Sequence, residues 1–401
     1  MNGYLVILLA ITGVSAAVSA AVCLYHAALA LVACLVPHRR GCVDGHLLRF
    51  AIVIPAHNEE HTIRISLDSA MALDYPQDRF EIIVVADNCD DDTATVARNC
   101  GAACLVRNDT RRCGKGHALE WALPQILGRD NDVVVVLDAD CIIGPQSLRA
   151  FDRAFSNGYR VVQATDMVEN PDSNALSFML GLANTLENEL FYAPKSMLGM
   201  AVFLRGTGMA FHREVLEKWP WRALSNTEDT EYSLELIRNG ERIGFTLEAQ
   251  VRSEFPTQNS QLYSQRKRWI RGNSRLAYRH GLRAAWQGLQ QHRWLLLDAG
   301  FTMWILSRPI VLGQFILTAG LGLGCFFLIP GPISNFLLVC CGAMLVLYVV
   351  YVYLGMARIG MTPRRILLLL KMPFVTVRYL LLAAPALVKT SETPWERTPR
   401  V

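Results

Sequence analysis

Two stretches of the chain carry no Asp, Glu, Lys or Arg: residues 1–38 and residues 309–357. The first holds an apolar run from Tyr4 to Val36, longer than the roughly 20 residues that cross bilayer hydrocarbon as a helix. No basic residue precedes it and it exceeds the about 7–15-residue core of a signal peptide, so it predicts a retained transmembrane helix. The second stretch breaks at Pro330-Gly331-Pro332, which predicts a hairpin of two spans, from about Trp304 to Ile329 and from Phe336 to Leu354. Ile366 to Val388 is interrupted by Lys371, Pro373 and Arg378, so the expectation there, as for Trp294 to Ile305, is a helix lying in the interface.

Between the apolar ends the pattern changes to short β-branched runs separated by helix-like stretches. Phe50 to Pro55, Glu81 to Asp87 and Asp132 to Asp138 read as strands buried on both faces of a mostly parallel sheet. Helices are predicted over Glu59 to Leu73, behind an Asn58 cap, over Asp91 to Asn99 and over Gly116 to Leu127. The β-α-β-α order implies a doubly wound α/β domain, in which ligands bind outside the carboxyl ends of the strands. The predicted organisation is an N-terminal transmembrane helix over residues 1–38 and a cytosolic α/β domain over 39–293. An interfacial segment with two spans follows over 294–357, then a basic amphipathic helix and tail over 358–401.

Charge supports that layout. The 401 residues are 52% hydrophobic with a net charge of +4, too balanced for a nucleic-acid binder that works by phosphate neutralisation. The tail from Arg358 holds eight Lys/Arg against Glu392 and Glu396, a net +6, and Arg39 and Arg40 follow the first span. Both flanks are therefore expected on the cytoplasmic side of the inner membrane. The 11 cysteines show neither a CxxC pair nor zinc spacing, which points to reduced thiols.

Each predicted strand tip is acidic: Pro55-Ala-His-Asn-Glu59, Asp87-Asn-Cys-Asp-Asp-Asp92 and Asp138-Ala-Asp140. Three adjoining acidic tips repel one another unless a metal or a basic clamp lies among them. Asp138 and Asp140, two apart at a strand end, are positioned to face one ligand, and two carboxylate oxygens suit Mg²⁺ or Mn²⁺ with phosphate. Arg111-Arg-Cys-Gly-Lys-Gly116 is not a P-loop, because no Gly lies five residues before Lys115 and no Ser or Thr follows it. Arg205-Gly-Thr-Gly208 lacks the third glycine of a dinucleotide fingerprint. Lys115 remains as a lone cation for a diphosphate. Thr227-Glu-Asp229 opens a further helix, with Thr227 as its expected cap. Gln265, Arg268 and Trp269 fall at i, i+3 and i+4 of another, setting an amide, a guanidinium and an indole on one face.

In this order, the Asp87 loop, Asp138-Ala-Asp140, Thr227-Glu-Asp229 and Gln265-x-x-Arg268-Trp269 make the chain resemble the membrane-bound inverting glycosyltransferases of family 2. That group includes cellulose, hyaluronan, chitin and poly-N-acetylglucosamine synthases. The resemblance covers roughly residues 48–280 and extends to Trp395-Glu-Arg-Thr-Pro-Arg400. It implies a GT-A fold, a nucleotide-sugar donor, with UDP favoured, and a divalent cation. By resemblance Asp87 holds the nucleobase or ribose with Glu59 and Lys115 as further donor contacts. Asp138 lies near the nucleotide and Asp140 coordinates the metal. Asp229 is the general base, Gln265, Arg268 and Trp269 grip the diphosphate and acceptor, and Gly206-Thr207-Gly208 lies below the acceptor pocket.

The expected reaction is inverting transfer to a saccharide acceptor in cell-surface or exopolysaccharide synthesis, with the bilayer and possible accessory or oligomeric membrane partners around it. Three spans make a thin wall for a polymer channel, so transfer of one sugar to a lipid acceptor is the enzymatic rival. A catalytically silent subunit that binds nucleotide sugar is the rival from another class, and it has no need of Asp229. A transporter fits poorly, since roughly 250 residues are expected outside the membrane and the uncharged runs 1–38 and 309–357 hold no Asp, Glu, Lys or Arg.

Overall fold

The β-branched runs fold as strands because they bury side chains on both faces. In the computed structural model, which describes residues 3–36, 47–254, 259–306 and 308–388, they form an eight-stranded sheet. The strands are β1 (Phe50–Ala56), β2 (Phe80–Asp87), β3 (Ala103–Arg107), β4 (Val133–Val136), β5 (Cys141–Ile143), β6 (Val161–Val168), β7 (Met209–His212) and β8 (Ile243–Ser253). Their spatial order is β3-β2-β1-β4-β7-β6-β8-β5. β1 pairs in parallel with β2 and β4, and β2 with β3, so the carboxyl ends of these four strands open on one side. β7 runs antiparallel between β4 and β6, which turns the expected doubly wound sheet into a mixed one.

One face of the sheet (Val53, Val85, Val134, Val136) packs against Leu119 and Ile126 of the Lys115–Leu127 helix and against Tyr232 and Leu236. The other face (Ile52, Ile54, Val84, Val135) packs against Leu67 and Phe151. All four valines of β4 have zero exposure, and this explains a strand without hydrophobic alternation.

Several predicted boundaries move. The helix after β1 spans Ile63–Met71 and not Glu59 to Leu73, because Asn58 takes a left-handed φ of 56° and makes a turn there in place of a cap. The next helix begins at Thr93, since Asp91 Oδ1 accepts the Thr93 N–H at 3.0 Å from outside it. β4 ends at Val136, so Asp138 and Asp140 sit on the following turn and not on the strand itself.

Three helices are long and apolar enough to cross a membrane: Gly3–Leu35, Val311–Leu328 and Pro332–Ile359. Trp304 belongs instead to a separate helix, Trp294–Leu306, so the second span starts later than its apolar run. Interhelical hydrogen bonds join the N-terminal helix to the hairpin: the Ser15 and Ser19 hydroxyls lie 2.7 and 2.8 Å from Thr318 Oγ1, and Gln314 Nε2 donates to the Ser15 carbonyl at 3.1 Å. The final helix, Pro363–Val388, sets Val375 against Leu176 and Leu180, and Arg365 pairs with Asp172 at 2.8 Å. Arg39, Arg40 and the Trp395-Glu-Arg-Thr-Pro-Arg400 tail lie outside the described residues.

A buried ion pair ties the N-terminal helix to the sheet domain. Lys195 has zero exposure; its Nζ lies 3.1 Å from Asp298 Oδ2 and donates to Thr302 Oγ1 at 2.5 Å. Asp298 also accepts from Tyr25 Oη at 2.6 Å and from the Ala201 N–H at 2.7 Å. Removing one partner of such a pair strands the other charge in a dry environment. Asp298→Ala is therefore expected to cost roughly 3–5 kcal/mol, and a Lys195→Met/Asp298→Leu double variant to recover much of that loss, as read by unfolding of the detergent-solubilised protein.

Candidate active site

The parallel register of β2 and β3 puts Arg107 directly beside Asp87. Arg107 Nη1 donates to Asp87 Oδ1, both side chains are at most 5% exposed, and Arg107 Nη2 reaches Asp109 at 3.1 Å. Asn88 Nδ2 donates to Asp87 Oδ1 at 3.0 Å. The Asp87 carboxylate thus has its cation supplied by the next strand, and its geometry is held from more than one side. His57 Nδ1 lies 2.7 Å from the Asp87 carbonyl. Glu59 sits in the turn after β1, where its N–H donates to Thr93 Oγ1 at 2.7 Å and its carboxylate accepts from the Thr62 hydroxyl.

The second cation is Lys115. Its Nζ donates to Asp138 Oδ1 and, at 2.6 Å, to the Gly206 carbonyl. Burial pulls its pKa down, but Asp138, Glu228 and Asp229 outweigh that and raise it to about 12, so the ammonium stays charged. The Asp138 N–H donates to Thr207 Oγ1 at 3.1 Å. Lys115, Asp138, Gly206 and Thr207, far apart in sequence, therefore form one hydrogen-bonded unit. A basic clamp among the acidic tips was one of the two solutions that mutual repulsion allowed, and Arg107 and Lys115 provide it.

The donor chemistry also fits a hard divalent cation. Ligand atoms of Asp138, Asp140 and Cys141 all lie within 4.8 Å of one another. Burial, then the charges of Asp140 and Asp138, push the Cys141 thiol well above its ordinary pKa. A hard divalent cation prefers carboxylate oxygen to this soft sulfur. The two carboxylates remain as an oxygen set for Mg²⁺ or Mn²⁺, and Asp138 is already shared with Lys115.

Asp229 stands in the first turn of the Glu228–Arg238 helix. Thr227 occupies the cap position, but its side chain makes no capping hydrogen bond. Gly206, at φ +85°, lies beside both groups: a Cβ there would come into ordinary contact with Asp229 Oδ2 at 3.6 Å and Lys115 Nζ at 3.8 Å. Burial raises the Asp229 pKa against the pull of the Thr230 N–H and Lys115. Glu228 is pushed up to about 7 by burial and then by Asp229. Sequence alone explains Glu228 by the helix dipole; its crowding with Asp229 and Lys115 is a tertiary effect.

Arg268 and Trp269 lie on the Asn259–Leu276 helix. That helix presses on the Asp229 turn through Gly272, where a Cβ would meet Thr227 Cγ2 at 2.4 Å. Burial lowers the Arg268 pKa while Glu228 and Asp138 oppose the shift, so the guanidinium faces the acidic group. Gln265 is on the same helix, but its side chain lies outside the described residues. Glu59, Asp87, Lys115, Asp138, Asp140, Gly206, Thr207, Asp229, Arg268 and Trp269 all line a single cavity of about 930 Å³, which Gly208 does not reach. Arg107, Glu228 and the buried Arg205 were not foreseen. A charged residue closing β3 was the available signal for Arg107, since nothing in packing requires one there.

Residues 48–272 match the family model described as "Glycosyltransferase like family 2". Among curated relatives, a beta-monoglucosyldiacylglycerol synthase from Synechocystis is 27% identical over 228 residues, covering 55% of this chain and 47% of that protein. The catalytic subunit of cellulose synthase 1 from Komagataeibacter xylinus is 26% identical over 234 residues, covering 55% of this chain and 30% of that one. The chain thus aligns with about half or less of the length of these relatives. Among solved structures, a mannosyltransferase from Pyrobaculum calidifontis, in complex with GDP-Man and Mn²⁺, superposes with a TM-score of 0.58 at 20% identity. It covers 96% of this chain and 100% of that one, and shares the fold.

The raised carboxyl pKa of Glu228 has a signed consequence for stability. Between the ordinary value of 4.5 and about 7 the folded protein binds more protons at Glu228 than the unfolded chain, so stability falls as pH rises through that window. In metal-free, nucleotide-free protein, Glu228→Gln is expected to flatten this fall and to stabilise the fold at pH 8 by on the order of 2 kcal/mol, as followed by unfolding midpoints against pH.

Proposed function

The chain belongs to glycosyltransferase family 2, and from that premise we propose that it transfers a sugar from a nucleotide-linked donor, UDP-linked by resemblance, to an acceptor hydroxyl with inversion. What supports this most is the cavity in which Asp229 faces Lys115, Asp138, Asp140 and Arg268. A hydroxyl is a poor nucleophile at neutral pH, so a carboxylate must take its proton as the new bond forms. Asp229 is that base, and burial, by raising its pKa, makes it a stronger one. The acceptor oxygen attacks the anomeric carbon from the side opposite the diphosphate. As the anomeric C–O bond to phosphate breaks, its electron pair leaves with the nucleoside diphosphate and the acceptor proton ends on Asp229.

Asp87, set by Arg107, orients the nucleoside, with Glu59 at the edge of the same pocket. Lys115 and Arg268 place positive charge where the leaving diphosphate gains negative charge. Asp140, with Asp138, would hold Mg²⁺ or Mn²⁺, which supplies Lewis-acid stabilisation to the diphosphate oxygens. Mn²⁺ accompanies GDP-Man in the Pyrobaculum mannosyltransferase, in keeping with this choice. Gln265 and Trp269 are assigned to the diphosphate and acceptor end, and Gly206 and Thr207 to the floor of the acceptor space.

Residues 39–293 are the proposed catalytic unit, facing the cytoplasm at the inner membrane, with the basic tail against anionic headgroups. A role in cell-surface or exopolysaccharide synthesis, with a saccharide or lipid-linked acceptor, follows from the resemblance. A silent nucleotide-sugar-binding subunit is disfavoured by Asp229 itself, a lining residue of the cavity that such a subunit has no need of.

Asp229→Asn is expected to retain nucleotide binding and to lower transfer by roughly 10²–10⁴-fold, the usual worth of a general base. EDTA is expected to stop nucleoside diphosphate release, measured over a panel of UDP- and GDP-sugars. Full activity in the Asp229→Asn variant, or release indifferent to EDTA, contradicts the assignment.

A further inference from the structure

The cavity that holds Asp229 does not end at the polar site. Its wall continues onto Cys23 and Ala27 of the N-terminal helix, Leu182 and Leu186 of the Ala175–Glu187 helix, Phe315 of the Arg308–Leu328 helix and Tyr348 of the Pro332–Ile359 helix. Four of these six residues belong to the three helices apolar enough to cross a membrane. The reaction centre and the space between the membrane helices are therefore one volume. At about 930 Å³ it lies near the upper end of the roughly 300–1,000 Å³ typical of ligand pockets.

The chemistry of that extension selects its occupant. Polar groups along it are already engaged: Tyr351 Oη donates to the Leu186 carbonyl at 3.3 Å, and a His26 ring nitrogen sits 2.8 Å from the Val22 carbonyl. A sugar chain placed against Leu182, Leu186 and Phe315 exchanges water for a wall with few hydrogen-bond partners, which strands its hydroxyls. An alkyl chain is stabilised there by each methylene it buries.

Charge then selects the headgroup. Where the apolar wall meets the reaction centre, Arg205 is shared between Asp166 and Glu187, each 3.5 Å away, and donates to Asn188 at 2.5 Å and Asn184 at 3.2 Å. Its charge is neutralised within the protein. A phosphate headgroup arriving there meets the carboxylates of Asp166, Glu187 and Asp229, while Lys115 is paired with Asp138 and both it and Arg268 stand where the leaving diphosphate is proposed to lie; an uncharged hydroxyl meets hydrogen-bond acceptors and the base.

Building on the transferase reading above, we infer that the acceptor is a membrane lipid with an uncharged hydroxyl headgroup. Its headgroup lies at Asp229 and its alkyl chains lie between the N-terminal, Ala175–Glu187 and hairpin helices.

The test uses the full chain in phosphatidylcholine vesicles with a radiolabelled donor. Three acceptors are compared: a long-chain diacylglycerol, a polyprenyl phosphate and a water-soluble β-linked oligosaccharide. The expected product is a lipid carrying a single sugar, formed at least tenfold faster on the diacylglycerol than on either other acceptor, with the rate falling as the acyl chains are shortened. Ala27→Phe and Leu182→Phe, which narrow the extension, are expected to lower that rate at least fivefold without changing binding of a fluorescent nucleotide. The acyl-length series on the unaltered enzyme reads the same feature should either variant fail to fold. Product only on the oligosaccharide, or a polymer, overturns the lipid assignment; product only on the polyprenyl phosphate overturns the uncharged headgroup. Absence of metal-dependent nucleoside diphosphate release with every donor, hydrolysis to water included, overturns the transferase reading itself and the acceptor with it. Retained hydrolysis without any lipid product overturns the acceptor alone.

Discussion

One ammonium group holds the reaction centre together. Asp138, Glu228 and Asp229 all face Lys115, and without it their mutual repulsion in a part-buried cavity opposes the fold that gathers them. Lys115 joins Asp138 to the Gly206 carbonyl, so the turn after β4 and the loop before β7 are set relative to each other by a single charge. The neighbouring glycine makes this possible. A Cβ at residue 116 would lie 2.5 Å from the Ala223 carbonyl, so only glycine lets the start of the Lys115–Leu127 helix lie against the segment that leads into Asp229.

The rest of the domain serves that meeting point. Parallel pairing of β1, β2 and β4 opens three carboxyl ends on the same side, and the antiparallel β7 brings the Arg205–Thr207 loop back to them. Buried charge on this scale is tolerated because each group has a named partner: Asp87 has Arg107, Asp138 has Lys115, and Arg205 has Asp166 and Glu187. Burial, offset only in part by Lys115 and the Thr230 N–H, also leaves Asp229 with a raised proton affinity, which is what its proposed role as base requires.

The membrane helices join this arrangement through Asp298. Its carboxylate is shared by Lys195, Tyr25 and the Ala201 N–H, so the N-terminal helix, the short Trp294–Leu306 helix and the chain that runs on to Arg205 and Gly206 meet at one buried group. The apolar extension of the cavity lies between elements fixed in this way.

Much of this was legible in the chain. Uncharged runs of that length give membrane-length helices because no other conformation satisfies its own backbone in hydrocarbon, and β-branched runs with acidic ends give buried strands with polar tips. The sites of Asp87, Asp138, Asp140, Asp229 and Arg268 were marked by spacing and resemblance before any coordinate. The pairing of Arg107 with Asp87, the crowding of Glu228, the place of Cys141 beside Asp138 and Asp140 and the short reach of β4 were not marked. Nor was the union of the polar site with the space between the membrane helices. Periodicity and motif spacing report what each segment buries and which groups it carries, since these depend on neighbours in sequence. Which charge meets which, and which cavities merge, depends on contacts between segments far apart along the chain, and only the folded chain sets those distances.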